Sequence, residues 1–272
     1  MTVVLVTGAN SGLGSATVAE LARRGVDVVA TVRSDDSEHQ LRTALERRPA
    51  TGAGSVTVDR LDVTDQAQVD EVVARHRPHV VVNNAGEVVL GAVNDVDLDA
   101  ARRQFDTSVL GPVRLAISAI EHGSCTRVVN VSSIVAEGLV PFTGWYAASK
   151  AALDTLSDIW RLELRPSGVQ VVTVQCGAVA TDVWDDAGDQ VTDGDDPSTA
   201  HARSRWAELT EVARSRFTDP SVVAEIVADA CVDPDPDPTV RVGFASTASG
   251  LLRCVPARLR DAVSAAALGL RR

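Results

Sequence analysis

Residues 2–14, Thr2-Val3-Val4-Leu5-Val6-Thr7-Gly8-Ala9-Asn10-Ser11-Gly12-Leu13-Gly14, decide the fold of this chain. An apolar run rich in β-branched residues ends at glycines 8, 12 and 14 and opens directly into a helical pattern over 12–24. β-Branched side chains favour a strand. Glycines let the backbone turn tightly and come close to a phosphate, whose charge the N-terminus of the next helix stabilises. A plain strand-to-helix turn does not call for three glycines. Placed in the first strand-turn-helix of the chain, the pattern points to dinucleotide binding.

The same alternation continues outward. Valine-rich runs at 27–32, 55–61, 79–82, 126–131, 169–175 and 239–243 read as further strands, and 38–48, 66–77, 100–122, 145–166 and 220–232 read as helices. Nearly continuous apolar strands are covered on both faces, and strand-helix repetition at this spacing gives right-handed parallel crossovers. The expected fold is α/β, a doubly wound parallel sheet of about seven strands with helices on both faces, in a single domain over 1–272. Two stretches break the rhythm: 182–196, with seven aspartates, and the Asp-Pro repeat of 233–238. Both read as solvated loop, while 182–217 also reads as a substrate lid over the carboxyl edge of the sheet, with Trp184, Trp206 and Phe217 turned toward a ligand. The stretch 246–270, carrying Leu251, Leu252, Val255, Leu259, Val263 and Leu268, reads as a helical segment that closes the pocket, meets another subunit or packs on the core.

Composition removes several classes. In 272 residues, 26 Lys and Arg stand against 37 Asp and Glu, a net charge of −11. Such a chain repels nucleic acids and anionic membrane surfaces. Four separated cysteines (Cys125, Cys176, Cys231, Cys254) form no disulfide scaffold or zinc pattern. His76 and His79 flank Arg77-Pro78, which disfavours the helix needed to aim both at one metal ion. No secretory leader or bilayer-length apolar run is read, so a reducing, cytoplasmic setting is expected. One count stands out. Tyr146 is the sole tyrosine and Lys150 the sole lysine, and they lie four residues apart on one predicted helix. Neighbours at i and i+4 share a face, and an ammonium beside a phenol lowers its pKa from about 10, fitting Tyr146 to move a proton near neutral pH. Ser133, on the loop after a strand, offers a hydroxyl to a reacting oxygen.

The second strand speaks to cofactor choice. It ends Thr31-Val32-Arg33, without the carboxylate that bonds a ribose 2′-hydroxyl. Arg33 therefore reads as a partner for the 2′-phosphate of NADP. The competing reading pairs Arg33 with Asp35 or Asp36 and leaves NAD as the alternative.

Taken together, Thr7-Gly8-x-x-x-Gly12-x-Gly14, Asp62-Val63, Asn83-Asn84-Ala85-Gly86, Ser133 and Tyr146-x-x-x-Lys150 resemble the short-chain dehydrogenase/reductase family over roughly residues 2–181. Ala30-Thr31-Val32-Arg33 and Phe105-Asp106-Thr107 look like its steroid- and retinol-type reductases. The resemblance implies a Rossmann-type fold and catalytic roles for Tyr146 (proton donor or acceptor), Ser133 (carbonyl orienter) and Lys150 (nicotinamide ribose and Tyr146). Ser133 is preferred to Ser132 because it lies thirteen positions before Tyr146, as in the family. It also implies cofactor contacts at Gly8, Asn10, Ser11, Gly12, Leu13, Gly14, Arg33, Asp62, Val63, Asn83, Ala85, Gly86, Gly177, Val179 and Thr181. Two positions depart from the family: Ser108 replaces an asparagine of the proton relay, and Cys176 replaces a proline before Gly177. Val135, Phe142, Trp145, Trp184 and Trp206 are the expected substrate contacts. The expected enzyme is an NADP-dependent ketoreductase acting on a fairly apolar ketone or alcohol, with homodimers or homotetramers implied by family habit. The alternatives are a non-redox epimerase or dehydratase on the same site, or a dinucleotide-binding sensor.

Overall fold

Seven valine-rich segments pair in parallel: β1 (Val3–Val6), β2 (Asp27–Val32), β3 (Val56–Arg60), β4 (Val80–Asn83), β5 (Arg127–Ser133), β6 (Gln170–Cys176) and β7 (Thr239–Val242), in the order β3-β2-β1-β4-β5-β6-β7. The computed structural model describes residues 2–47, 54–138, 140–185, 187–194, 196–243, 246 and 255–270. The central register aligns Val4 with Val28 on one side and Val80 on the other, and Val82 with Val129. Each expected strand is present within a few residues of its predicted bounds.

Alternate residues of a strand face opposite sides, and β1 shows what that does. Val4 and Val6 enter one apolar layer, while Leu5 enters the other. The first layer lies under α1 (Gly12–Arg23), α2 (Asp35–Arg47) and α9 (Pro220–Val232), through Leu21, Leu41 and Val227. The second lies under α3 (Gln66–His76), α5 (Gly111–Glu121) and α6 (Gly144–Glu163), through Val69, Leu115 and Trp160. The chain runs outward from β1 to β3 and then crosses to β4. The carboxyl ends of β1 and β4 therefore flank a crevice where the order reverses, the place where open α/β sheets bind ligands.

The expected helix over 100–122 is instead α4 (Leu98–Phe105), a π-helical turn Asp106–Leu110, and α5. Proline is the reason. Pro112 has no N–H for the Ser108 carbonyl four residues back, and its ring crowds that carbonyl. The helix widens by one residue, and the Gly111 N–H bonds Asp106 O.

Beyond β6, the stretch 182–196 expected as loop carries a 3₁₀ turn at Asp182–Trp184 and α7 (Ala187–Thr192), followed by α8 (Ala200–Ala213) and a 3₁₀ turn at Arg214–Arg216. They carry a small apolar cluster of their own, with Leu90, Phe142, Ala187, Val191, Ala202, Trp206 and Leu268. Buried Arg203 ties this excursion to the body through Asp95 at 2.9 Å. Within 246–270, α10 spans Ala257–Leu268. Leu268 is buried while Leu259 and Val263 face solvent, and Leu251 and Leu252 lie outside the described residues. Among the described residues no helix is long and apolar enough to cross a membrane, and no group of His, Cys, Asp and Glu is arranged to hold a metal ion.

Candidate active site

The glycine turn is fixed by close approach. Gly8 has φ +61°, and a Cβ there would lie 2.9 Å from the Ala85 Cα, so the β1 turn rests directly on the loop after β4. A Cβ on Gly14 would stand 2.3 Å from the Gly8 carbonyl oxygen, and one on Gly12 would stand 2.9 Å from Thr181 Cγ2. Ser11 caps α1, its Oγ accepting the Gly14 N–H at 2.9 Å. Thr7 Oγ1 accepts the N–H groups of Asn84 and Ala85 at 3.1 and 3.0 Å. Asn84 Nδ2 donates to the Thr7 and Gly8 carbonyls at 2.8 and 3.0 Å.

Asn83 and Asn84 divide the work differently from the sequence expectation. The Asn83 side chain is buried in the sheet layer and donates to Asn130 Oδ1 at 2.8 Å. Asn84 lines the cavity. Strand parity holds the signal: Asn83 shares a face with Val81 and points under α5, so the next residue is the first to leave the sheet. Asp62 also spends its side chain locally, accepting Thr64 N and Oγ1 at 2.9 and 2.7 Å. Val63 packs against Gly111, where a Cβ would meet it at 2.6 Å. Both sit just past β3 and neither lines the cavity.

At the far end of the glycine turn, Asn10 Nδ2 bonds Gln40 Oε1 at 3.0 Å and joins the turn to α2. Arg33 is exposed at the end of β2. Asp35 pairs with Arg60, and among the described residues Arg33 has no ion pair. The Val32–Arg60 register brings Arg60 to Asp35, and among the described residues neither Asp35 nor Asp36 pairs with Arg33.

A cavity of about 550 Å³ opens from this turn along the carboxyl ends of the strands. Ser11, Leu13, Asn84, Gly86, Ser133, Tyr146, Lys150, Gly177, Val179 and Thr181 line it, and so does Cys176. Tyr146 begins α6, and its hydroxyl bonds Ser133. Lys150, one turn on, is buried with its Nζ donating to the Val131 carbonyl at 2.9 Å. Ser108 reaches the same place from the π-helical turn. A Cβ on Gly86 would lie 3.6 Å from Ser108 Oγ and 3.8 Å from Lys150 Nζ, so the two flank one glycine. Ser108 Oγ accepts the Glu87 N–H at 3.2 Å.

The electrostatics correct one expectation. Lysine was expected to lower the Tyr146 pKa. Burial instead pushes it up to about 12, with the Ser133 hydrogen bond pulling down and Cys176 adding to the rise. Desolvation penalises the charged form, and the Lys150 ammonium is committed to the Val131 carbonyl. Tyr146 is therefore a neutral phenol at physiological pH. Burial likewise lowers the Lys150 pKa and pushes the Cys176 thiol up to about 12, so Cys176 is an inert thiol.

The distal walls are apolar. Val135, Trp184 and Trp206 line them as expected, with Phe217, Leu209 and, from α10, Leu268. Phe142 and Trp145 do not. Phe142, at φ +69°, turns into the cluster around Leu90 and Val191, and its carbonyl accepts the Gly91 N–H. Trp145 packs edge-on against Phe105, 6.4 Å between ring centres, with its indole N–H on the Val93 carbonyl. Trp184 and Phe217 meet at 5.0 Å.

A dinucleotide fits the inner rim. The first turn of α1 presents backbone N–H groups and a positive dipole end, and Gly86 leaves the floor beside Lys150 open. Arg33 is a free cation at the outer end. A doubly wound sheet with this turn at its switch point, and a Ser–Tyr–Lys set at the other end of the same cavity, defines a dinucleotide-binding oxidoreductase of Rossmann type. The chain belongs to the short chain dehydrogenase family, whose model matches residues 2–192. It is 32% identical over 281 residues to the short-chain dehydrogenase ptmH of Penicillium ochrochloron, covering 98% of both chains. It is also 32% identical over 190 residues to the oxidoreductase YusZ of Bacillus subtilis, a match spanning 67% of this chain and 66% of that protein. Among solved structures, a short-chain dehydrogenase from Streptomyces avermitilis superposes with a TM-score of 0.74 at 28% identity, covering 97% of each chain.

Proposed function

We propose that the protein is a cytoplasmic NADP(H)-dependent ketoreductase, of the steroid- or retinol-type within its family, acting on a fairly apolar ketone or secondary alcohol. One observation carries this reading: Ser133, Tyr146 and Lys150 line one end of a cavity whose distal walls are mostly apolar. When bound, NADPH supplies the hydride that reduces the carbonyl carbon. Tyr146 gives its phenolic proton to the carbonyl oxygen and Ser133 donates a hydrogen bond to the same oxygen, stabilising the charge that develops there. The high Tyr146 pKa keeps this proton in place until the carbonyl oxygen becomes basic. Lys150, Asn84 and Gly86 hold the nicotinamide-side ribose, the α1 N-terminus holds the pyrophosphate, and Arg33 holds the 2′-phosphate. Residues 182–217 form the lid and α10 closes the distal end, and the working unit is a homodimer or homotetramer.

Incubation with NADPH and a panel of hydrophobic ketones, following loss of the reduced cofactor's absorbance, tests this. Turnover that Tyr146→Phe abolishes supports the assignment. Binding without turnover assigns a dinucleotide sensor, the reading that Ser108 in place of the family's asparagine keeps open. Product formed without net oxidation assigns an epimerase or dehydratase.

A further inference from the structure

The buried side of Lys150 holds a polar cluster that the proposed chemistry does not use. Asp154 lies four residues after Lys150 on α6, at the spacing that places two side chains on one face. Its Oδ2 accepts Gln175 Nε2 at 2.7 Å, and the Ser132 hydroxyl lies beside it and steadies its charge. Gln175 on β6 is 4% exposed, and Ser132 on β5, next to the strand carbonyl that holds Lys150, is 3% exposed. Asp154 Oδ1 and Gln175 Oε1 are buried acceptors without a hydrogen-bond partner. The same Gln175 amide reaches Glu137 Oε1 at 3.4 Å, and Arg241 on β7 bonds that oxygen at 2.6 Å. Two carboxylates thus share one amide. Arg241 serves Glu137, while Lys150, one helical turn before Asp154, makes no direct ion pair with it among the described residues and acts on it through space.

Such an arrangement weighs against folding, because buried charges need partners and buried acceptors need donors. Lys150 has the matching deficit. Burial disfavours its ammonium, and the acids that act on it are Cys176 and Asp154. The Cys176 thiol, pushed up to about 12, carries no charge at neutral pH. Asp154 is left as the one acid of the two that can be ionised there. Its own carboxyl is raised by burial and by Glu137 and drawn back down by Ser132, Gln175 and Lys150. The groups facing the pair are therefore Cys176 and Gln175 from β6, Ser132 from β5, Glu137 from the turn after β5, Tyr146 from α6 itself and Ser108 from the π-helical turn.

We propose that Asp154 is a positioning residue: its carboxylate, held by Gln175 and lying one helical turn beyond Lys150, is the through-space counter-charge that keeps buried Lys150 an ammonium while the Val131 carbonyl holds its Nζ in place. The catalytic consequence rests on the ketoreductase reading; the electrostatic one does not. At the position where the family places the asparagine of its relay, this chain has the shorter Ser108, and Asp154 supports the lysine from the opposite side.

The composition supplies the test. Lys150 is the only lysine, so protein labelled with ε-¹³C lysine gives a single side-chain resonance, and its pH titration reports Lys150 alone. In the wild type this resonance should show, besides its alkaline titration, a second inflection on the acid side as Asp154 ionises. Asp154→Asn should abolish that inflection and lower the Lys150 pKa so that its proton affinity falls about tenfold or more. Asp154→Glu should restore most of it. The alkaline limb of kcat/KM in Asp154→Asn should move down by the same factor, a change that simple loss of packing would not produce. Absence of the acid-side inflection in the wild type, which needs no variant to fold, overturns the proposal, as does a smaller fall in the variant. If the resonance behaves as expected and no ketone is turned over, the counter-charge stands and the ketoreductase reading falls.

Discussion

The raised pKa of Tyr146 makes a prediction that a single chromophore can decide. Tyr146 is the only tyrosine, so the ultraviolet change on phenolate formation belongs to one residue. Burial moves its ionisation from 10.0 to about 12. Two pH units at about 1.4 kcal/mol each make the folded protein about 3 kcal/mol more hospitable to the phenol than to the phenolate. Because the folded value lies above the unfolded one, this stabilisation is fully present below pH 10 and is lost as pH rises through 12. Spectrophotometric titration of the native protein, with tryptophan fluorescence confirming that it is folded, should give a midpoint near 12. Tyr146→Phe should show no transition and should lose less stability than the wild type between pH 10 and 12 in urea unfolding. Ser133→Ala removes the hydrogen bond that steadies the phenolate and should move the midpoint higher still. A native-state midpoint at or below 10 would refute the reasoning, because it would mean that Lys150, not burial, governs the phenol.

Further expectations follow from other contacts. Arg33→Ala should weaken NADPH binding by about tenfold while leaving NADH nearly unchanged, the size of one charge-assisted phosphate contact, and equal loss for both in a binding titration would remove Arg33 from the phosphate site. Gly14→Ala drives a methyl into the Gly8 carbonyl and the Asn84 amide, so urea unfolding should report about 1–3 kcal/mol of destabilisation, with a weakened dinucleotide affinity. Asp95→Asn leaves buried Arg203 without its carboxylate. A partly exposed pair should cost about 1–3 kcal/mol, less than a fully buried one, and protease sensitivity should rise within 182–217 before the rest of the fold opens.

The parts of the molecule that were legible in its sequence share a cause: the property read was local. Valine runs make strands wherever helices cover them, and a glycine at Gly8 or Gly14 is demanded by backbone a few residues away. Tyr146 and Lys150 were placed together by helical geometry alone. What escaped depended on neighbours distant in the chain. Whether Phe142 or Val135 faces the cavity is settled by the Leu90–Val191 cluster, which no pattern near residue 142 announces. The charge state of Tyr146 was misjudged because spacing reports proximity to a lysine but not how deeply the phenol is buried. The break in the helix at 106–110 was available, since Pro112 lies inside the predicted span, but its outcome as a π turn that seats Ser108 beside Gly86 depended on the packing of α6.

The position of β1 at the centre of the sheet has a consequence for how the protein is made. Once made, β1 waits for partners on both flanks, with β4 arriving some seventy-five residues later in its pairing of Val4 with Val80. The glycine turn's own helix is finished later still, when α9 lays Asp229 against Arg24. The Gly177 N–H finds its acceptor only when Val242 emerges. The rim of the cavity is thus completed only after β7 has been made. Until then the nascent chain exposes its most apolar strands, which makes the arrival of α9 and β7, rather than formation of the glycine motif, the step on which a functional yield depends.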